Sequence, residues 1–319
     1  MKQPLLTLVT LILISAVLAG CEKEADEATK PVVSSFKNDG GNQNFNIVHA
    51  QYLYEDYLDN LEQTPRQERQ ALYEEKILKP IEKECFTDLD YPHMAEEIQD
   101  YQVNKFPGTL KKVINSMNKE RLDSLIKEAL EKSSEILPST KDINVCIFPT
   151  DNTMVKTMVA TGAGRIIFYY SDYNSSDRMI KSSISHEYHH STWTEQHFES
   201  SHQNTVLDNL VFEGKAVMFE ETVYPGMTSL PLDTKAAPVF WNKVRDDLHK
   251  ADFSRSLEVL NGGGPLPLHY GYSEGYKIVK AYIEETGSTV EESTAASPDE
   301  ILKKGRYIER YYPKEEAES

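Results

Sequence analysis

The chain has 319 residues, 39% of them hydrophobic and 27% charged, with 51 acidic against 34 basic side chains and a formal net charge of −17. Such an acidic excess repels polyanions, so nucleic acid is excluded as an expected partner. No apolar run beyond the first twenty residues approaches the roughly 20 needed to cross a bilayer.

Residues 1–20 read as a lipoprotein signal peptide. Lys2 opens the segment, Leu5 to Val17 is apolar apart from Thr and Ser, and Leu18-Ala19-Gly20-Cys21 resembles the bacterial lipobox, whose cysteine is diacylated after cleavage. Cys21 is therefore the expected lipid anchor, and the mature chain is expected at the extracytoplasmic face of the cell membrane, held by its acyl chains. Residues 21–43, dominated by Glu, Lys, Ala, Ser, Asp and Gly, predict a flexible tether.

Residues 44–138 predict a helical region. Phe45, Val48, Tyr52, Tyr57 and Leu58 recur at three- to four-residue steps, Thr64-Pro65 caps a second helix that runs to Pro80, and a third stretch from Pro107-Gly108 to Pro138 carries the series Leu122, Leu125, Ile126, Ala129 and Leu130. His49 and His93 have no catalytic spacing and read as structural or surface residues.

The texture changes in residues 139–313. Ile143, Val145, Ile147 and Phe148 make a short β-rich run, and Val155 to Tyr170 holds two more around Thr161-Gly162-Ala163-Gly164. Gly162 and Gly164 are expected to clear room for a substrate chain adding to the sheet edge, a plain hairpin turn being the alternative. Cys85 and Cys146 can pair in an exported compartment or remain buried thiols.

Ser176-Asp177 then caps a helix containing Ile184-Ser185-His186-Glu187-Tyr188-His189-His190. His186 and His190 in the order His-Glu-x-x-His lie one turn apart on one helix face, where two imidazoles can hold a zinc ion at about 2.0–2.1 Å while Glu187 addresses its water. The third ligand is sought downstream. His197 lacks the glycine of the longer His-Glu-x-x-His-x-x-Gly-x-x-His pattern, Gln196 standing in its place, and His202 sits in a polar turn. Glu213 is the better candidate, on a second helix marked by Leu207, Leu210, Val211, Val217 and Met218, with Gly214 allowing close approach of helices. Two histidines and a glutamate leave the fourth position for water, the open site of a hydrolytic zinc enzyme.

These segments, with Phe212-Glu213-Gly214-Lys215-Ala216 and Gly271-Tyr272-Ser273-Glu274-Gly275-Tyr276, resemble the bacterial family of predicted zinc-dependent proteases labelled domain of unknown function 2268. In outline the chain is similar to gluzincins, whose second metal helix also carries Glu-Gly-x-Ala. The resemblance extends from Leu78-Lys79-Pro80-Ile81 to Pro298-Asp299-Glu300-Ile301-Leu302 and implies a metallopeptidase fold, leaving the substrate open.

On that reading Glu187 is the general base, and the oxyanion donor comes from the segment after Gly262-Gly263-Gly264-Pro265, where Tyr272 is favoured, partly by its match to the family's Gly-Tyr pattern, over His269 and Tyr270. Asp208, Asn209 and Glu220 are alternatives for orienting the imidazoles, His189 points off the ligand face, and His249, Trp193 and Trp241 read as packing or surface. Gly271 to Glu285 predicts a helix ended by Gly287, and Ser297-Pro298-Asp299-Glu300 starts a short one.

The fold expected is α+β and mostly helical, a zincin-like region with a small sheet beside the active-site helix. The function expected is a membrane-anchored metallopeptidase with one zinc ion, acting on a peptide or protein substrate. The alternatives are a non-catalytic lipoprotein of the same fold serving as a binding or chaperone-like module, and a structural zinc site completed by His197 or His202.

Overall fold

The computed structural model describes residues 32–38, 40–99, 107–151 and 157–313. The expected signal peptide, the lipid-anchor residue Cys21 and the first part of the tether lie outside the described residues, as does the C-terminal tail from 314.

Five strands form one mixed sheet in the order β1-β2-β3-β5-β4: β1 Val33–Lys37, β2 Asn44–His49, β3 Ile143–Pro149, β4 Met158–Gly162 and β5 Arg165–Tyr170. β2, β3 and β5 run parallel, while β1 and β4 pair antiparallel at the two edges. Between β2 and β3 lie α1 Tyr54–Leu61, α2 Arg69–Tyr73, α3 Glu82–Cys85, α4 Glu96–Gln99, α5 Pro107–Ser116 and α6 Lys119–Ile136. After β5 come α7 Asp177–His197, α8 Val206–Val223, α9 Pro238–Trp241, α10 Phe253–Asn261, α11 Tyr270–Thr286, α12 Val290–Ala295, α13 Pro298–Lys304 and α14 Tyr307–Tyr311. The protein is thus α+β and mostly helical, with a small mixed sheet.

Two expectations about the N-terminal part are corrected. Residues 33–37 of the supposed tether form an edge strand, and residues 44–49 of the supposed helical region form the strand that joins it to the sheet. Phe45 and Val48 are not on one helix face. Phe45 and Ile47 pack on one side of the sheet against α6 and α7, and Val48 packs on the other, the alternation that a two-residue strand period produces. Two apolar residues three apart suit one face of a helix, but in a strand buried on both sides they serve opposite faces, and pairing with β3 decides it here.

The same alternation in β3 divides two cores. Ile143, Val145 and Ile147 face Leu122, Ile126, Ile184 and Tyr188, whereas Cys146 and Phe148 face Tyr54, Tyr73, Ile77 and Cys85. A disulfide joins Cys85 to Cys146 and ties α3 to the middle strand. His49 is buried, as its structural reading requires, with Nε2 2.6 Å from Asp123 Oδ1.

A third core lies away from the sheet, where α8 packs against α10, α11 and the C-terminal helices through Leu210, Val211, Trp241, Val259, Ile278 and Tyr307. α8 has no solvent-facing side, none of its residues being exposed. Its Gly214 meets Gly275 of α11 so closely that a Cβ on Gly214 would stand 2.2 Å from the Gly275 carbonyl carbon. The close approach expected at Gly214 therefore has α11 as its partner.

Candidate metal centre

α7 begins at Ser176, whose hydroxyl accepts from the Met179 amide, and then runs for 21 residues without proline or glycine. It lies along β4, the outer strand of the sheet. The Glu187 carboxylate accepts the Ala160 amide at 2.8 Å, and the Ser191 hydroxyl accepts the Gly164 amide at 2.7 Å. The neighbouring face of α7, carrying His186 and His190, turns to α8. Thr205 and Asp208 cap α8 reciprocally, so Asp208 serves the capping box and neither His186 nor His190.

His186, His190 and Glu213 converge. The two Nε2 atoms are 3.0 Å apart, and Glu213 Oε2 is 3.2 Å from each. Donors about 2.0–2.1 Å from a tetrahedral ion stand about 3.3–3.4 Å from one another, so the triangle matches the reach of one small cation. Protons suit it less well. If both imidazoles donated from Nε2 to Glu213, their N–H groups would confront each other at 3.0 Å.

Glu220, two turns beyond Glu213 on the same face of α8, is fully buried, and its Oε2 lies 3.4 Å from His186 Nδ1. Accepting that N–H leaves the His186 Nε2 lone pair for the centre. Its other oxygen accepts the Ser229 amide. Of the three sequence candidates for orienting an imidazole, Glu220 is the one in place. Asn209 donates to the Thr205 carbonyl and Ser256 hydroxyl.

The local field favours positive charge. Burial opposes protonation of His186, but Glu213 and Glu220 outweigh it and hold the imidazole well above its usual value. Burial alone would raise the Glu213 carboxyl, yet His190 and His186 keep it far below the carboxylate range. Two imidazole nitrogens and one carboxylate within reach of one another have the donor chemistry of a divalent metal site.

Tyr272, in the first turn of α11, has its ring 6.4 Å from that of His186. The Glu213 charge, then burial and Glu187, hold its phenol well above the ordinary value, so it stays protonated and hydrogen-bonds Glu213. His269 caps the same helix at a φ of 56° with its ring 5.9 Å from Tyr272, and both line the cleft. Tyr270 instead packs into the third core beside Phe240.

Other sequence candidates stand elsewhere. Among the described residues the donor group within 4.8 Å comprises His186, His190 and Glu213, without His197 or His202. His189 is buried and neutral, its pKa lowered by burial, with Nε2 3.2 Å from the Thr294 hydroxyl. His202 pairs with Asp208 at 3.4 Å, and His93 is exposed on the cleft rim. The expectation for Gly162 and Gly164 is corrected. A Cβ on Gly162 would stand 2.7 Å from the Asp90 amide, and one on Gly164 2.4 Å from the Asp142 carbonyl, so these glycines make room for the protein's own backbone. The strand residues that line the cleft are Met158, Val159 and Ala160, which no glycine marks.

The His-His-Glu group between two helices could hold one metal ion, and it opens to a cleft of about 1220 Å³, flanked by a carboxylate and a phenol. The chain itself belongs to the family described as Predicted Zn-dependent protease (DUF2268), whose model matches residues 122–303, more than half of its length. That match runs from α6 to α13 and includes all three metal-site residues, Glu187, Glu220 and Tyr272. No curated protein and no solved structure matches the chain.

Proposed function

We propose that the protein is a zinc metallopeptidase of zincin-like architecture that hydrolyses peptide bonds, anchored by Cys21 at the extracytoplasmic face of the membrane. The observation that carries the reading is the convergence of His186, His190 and Glu213 with Glu187 at the adjacent position of the same helix. A zinc ion held by these three residues supplies a water of pKa about 7 and a Lewis acid for the scissile carbonyl. Glu187 takes the proton of the attacking water and returns it to the leaving amine. The Ala160 amide fixes the rotamer of that carboxylate. Tyr272, kept protonated, donates to the developing oxyanion, and Glu220 holds the His186 ring in one tautomer.

The substrate chain lies against β4. The Thr157 carbonyl accepts from Tyr169, so alternate residues of β4 face β5, and Met158 and Ala160 face the open edge. The Ala160 amide is engaged by Glu187, which leaves the Ala160 carbonyl and both backbone groups of Met158 to pair with a bound peptide. Export is supported by the Cys85–Cys146 disulfide, a bond that persists in oxidising compartments. Among the described residues no helix is long and apolar enough to cross a membrane, and attachment through Cys21 needs none.

Zinc content and peptide turnover of two variants test the reading. Glu187→Gln is expected to keep one zinc per chain and lose turnover, and Glu213→Ala to lose both. A Glu187→Gln protein that still cleaves peptide at the wild-type rate would overturn it.

A further inference from the structure

We infer that this chain acts as an endopeptidase on extended, apolar segments of protein, with Trp193 and Phe212 receiving a large apolar side chain beside the scissile bond. The inference rests on the peptidase reading above and adds the substrate class.

The cleft follows one face of α7. Met179, Ser183, His186, His190, Trp193 and His197 all line it, at steps of three and four residues that keep to a single side of the helix. Met179 to His197 spans about 27 Å at 1.5 Å per residue, and the histidine pair sits in its middle. About 13 Å of groove therefore extends to either side, room for roughly four residues of extended chain in each direction. An exopeptidase closes one side within a residue or two and binds the chain terminus by its charge. Here the cleft lining continues along α7 on both sides of the histidine pair. Among the described lining residues the one Lys or Arg is Lys215, whose ammonium is buried and donates to the Thr294 and Ala296 carbonyls, so it does not meet a terminal carboxylate.

The walls favour apolar side chains. Phe212 stacks on His190 with ring centroids 4.1 Å apart, and Trp193 meets Phe212 edge-on at 4.9 Å. Both are half-buried and line the cleft, Phe212 directly before Glu213 in the chain and Trp193 one turn beyond His190. At its mouth Phe253 is 63% and Leu268 78% exposed, two large apolar side chains continuous with the groove. A bound chain with apolar side chains covers them, whereas a charged ligand would leave them in water.

The experiment uses the zinc-loaded full chain and ten-residue peptides with acetylated and amidated ends, carrying Phe, Leu, Ala or Glu at each position around a central bond. Cleavage at an internal bond is expected, with kcat/KM about 10- to 100-fold higher for Phe or Leu than for Ala at one position next to that bond. Trp193→Ala should collapse that preference, and Trp193→Phe should restore most of it. Binding of the uncleaved Phe peptide to Glu187→Gln, followed by calorimetry, should weaken by a similar factor when Trp193→Ala is added. If only peptides with a free end are cut, or Trp193→Ala leaves the preference unchanged, the inference fails while the peptidase reading stands. If the zinc-loaded chain cuts no peptide, blocked or free, both fail.

Discussion

Replacing Gly275 by alanine is expected to damage the protein through the crossing of α8 and α11. In an open helix the change stabilises by about 0.5–1 kcal/mol, because glycine loses more backbone entropy on folding. At Gly275 the new Cβ would stand 2.0 Å from the Leu210 carbonyl oxygen and 3.0 Å from the Gly214 Cα. Both obstacles are backbone, so the helices must part by more than 1 Å to restore ordinary contact. Overpacking of this kind costs about 1–3 kcal/mol or more, and exceeds the propensity gain by about 2 kcal/mol at its upper end. The thermal midpoint should then fall by about 4–8 °C. Function should suffer more, because Glu213 precedes Gly214 on one helix and Tyr272 lies one turn before Gly275 on the other. A misplacement of about 1 Å between such groups costs on the order of 100-fold in rate. Gly108→Ala is the control: that glycine is in α5 with nothing within 4 Å of its Cβ position, and the same substitution there should hold or raise the midpoint. Scanning calorimetry and peptide turnover read both effects. A Gly275→Ala protein that melts at or above the wild-type temperature and turns over normally would refute the close-crossing account.

Three further outcomes follow from named contacts. Glu220→Gln should weaken zinc affinity by about 10- to 100-fold, read by competition with a chelator, because it removes the anionic acceptor at His186 Nδ1. Replacing Cys85 and Cys146 together by alanine should cost about 4 kcal/mol of stability in denaturant unfolding, the chain-entropy value for two cysteines 61 residues apart; an unchanged midpoint would argue against the bond. For Asp123, burial raises the carboxyl, but hydrogen bonds from His49, Lys119 and Ser34 outweigh it and hold it below its ordinary 3.8. Its stabilisation is therefore full above about pH 4 and is lost as pH falls through the lower folded value. Thermal midpoints from pH 6 to pH 2 should show that loss in the wild type and a smaller one in Asp123→Asn.

Much of the centre was legible because it is local. A helix fixes the angular relation of residues four apart, so His186-Glu187-x-x-His190 and its cap at Ser176 carry their geometry in the spacing alone. Glu213 was reachable too, since the apolar residues around it announce a buried helix, and a buried acid needs a partner. Glu220 could have been singled out by its two-turn separation from Glu213, but Asp208 and Asn209 were equal rivals until the contacts of each were known.

Other features depended on segments far apart in the chain. Val33–Lys37 and Asn44–His49 become strands by pairing with each other and with β3, about a hundred residues away, against a local pattern that suits a tether and a helix. Gly162 and Gly164 answer to Asp90 and Asp142, not to a ligand, and the cleft edge falls to Met158 and Ala160 instead. The sequence by itself determined the ligands carried within one helix, the chemical types required and the acidic surface. Which helices meet, which amide holds the Glu187 carboxylate and where the groove runs were settled only by packing, because contact between distant segments is decided by the energy of the whole chain and leaves no fixed spacing to read.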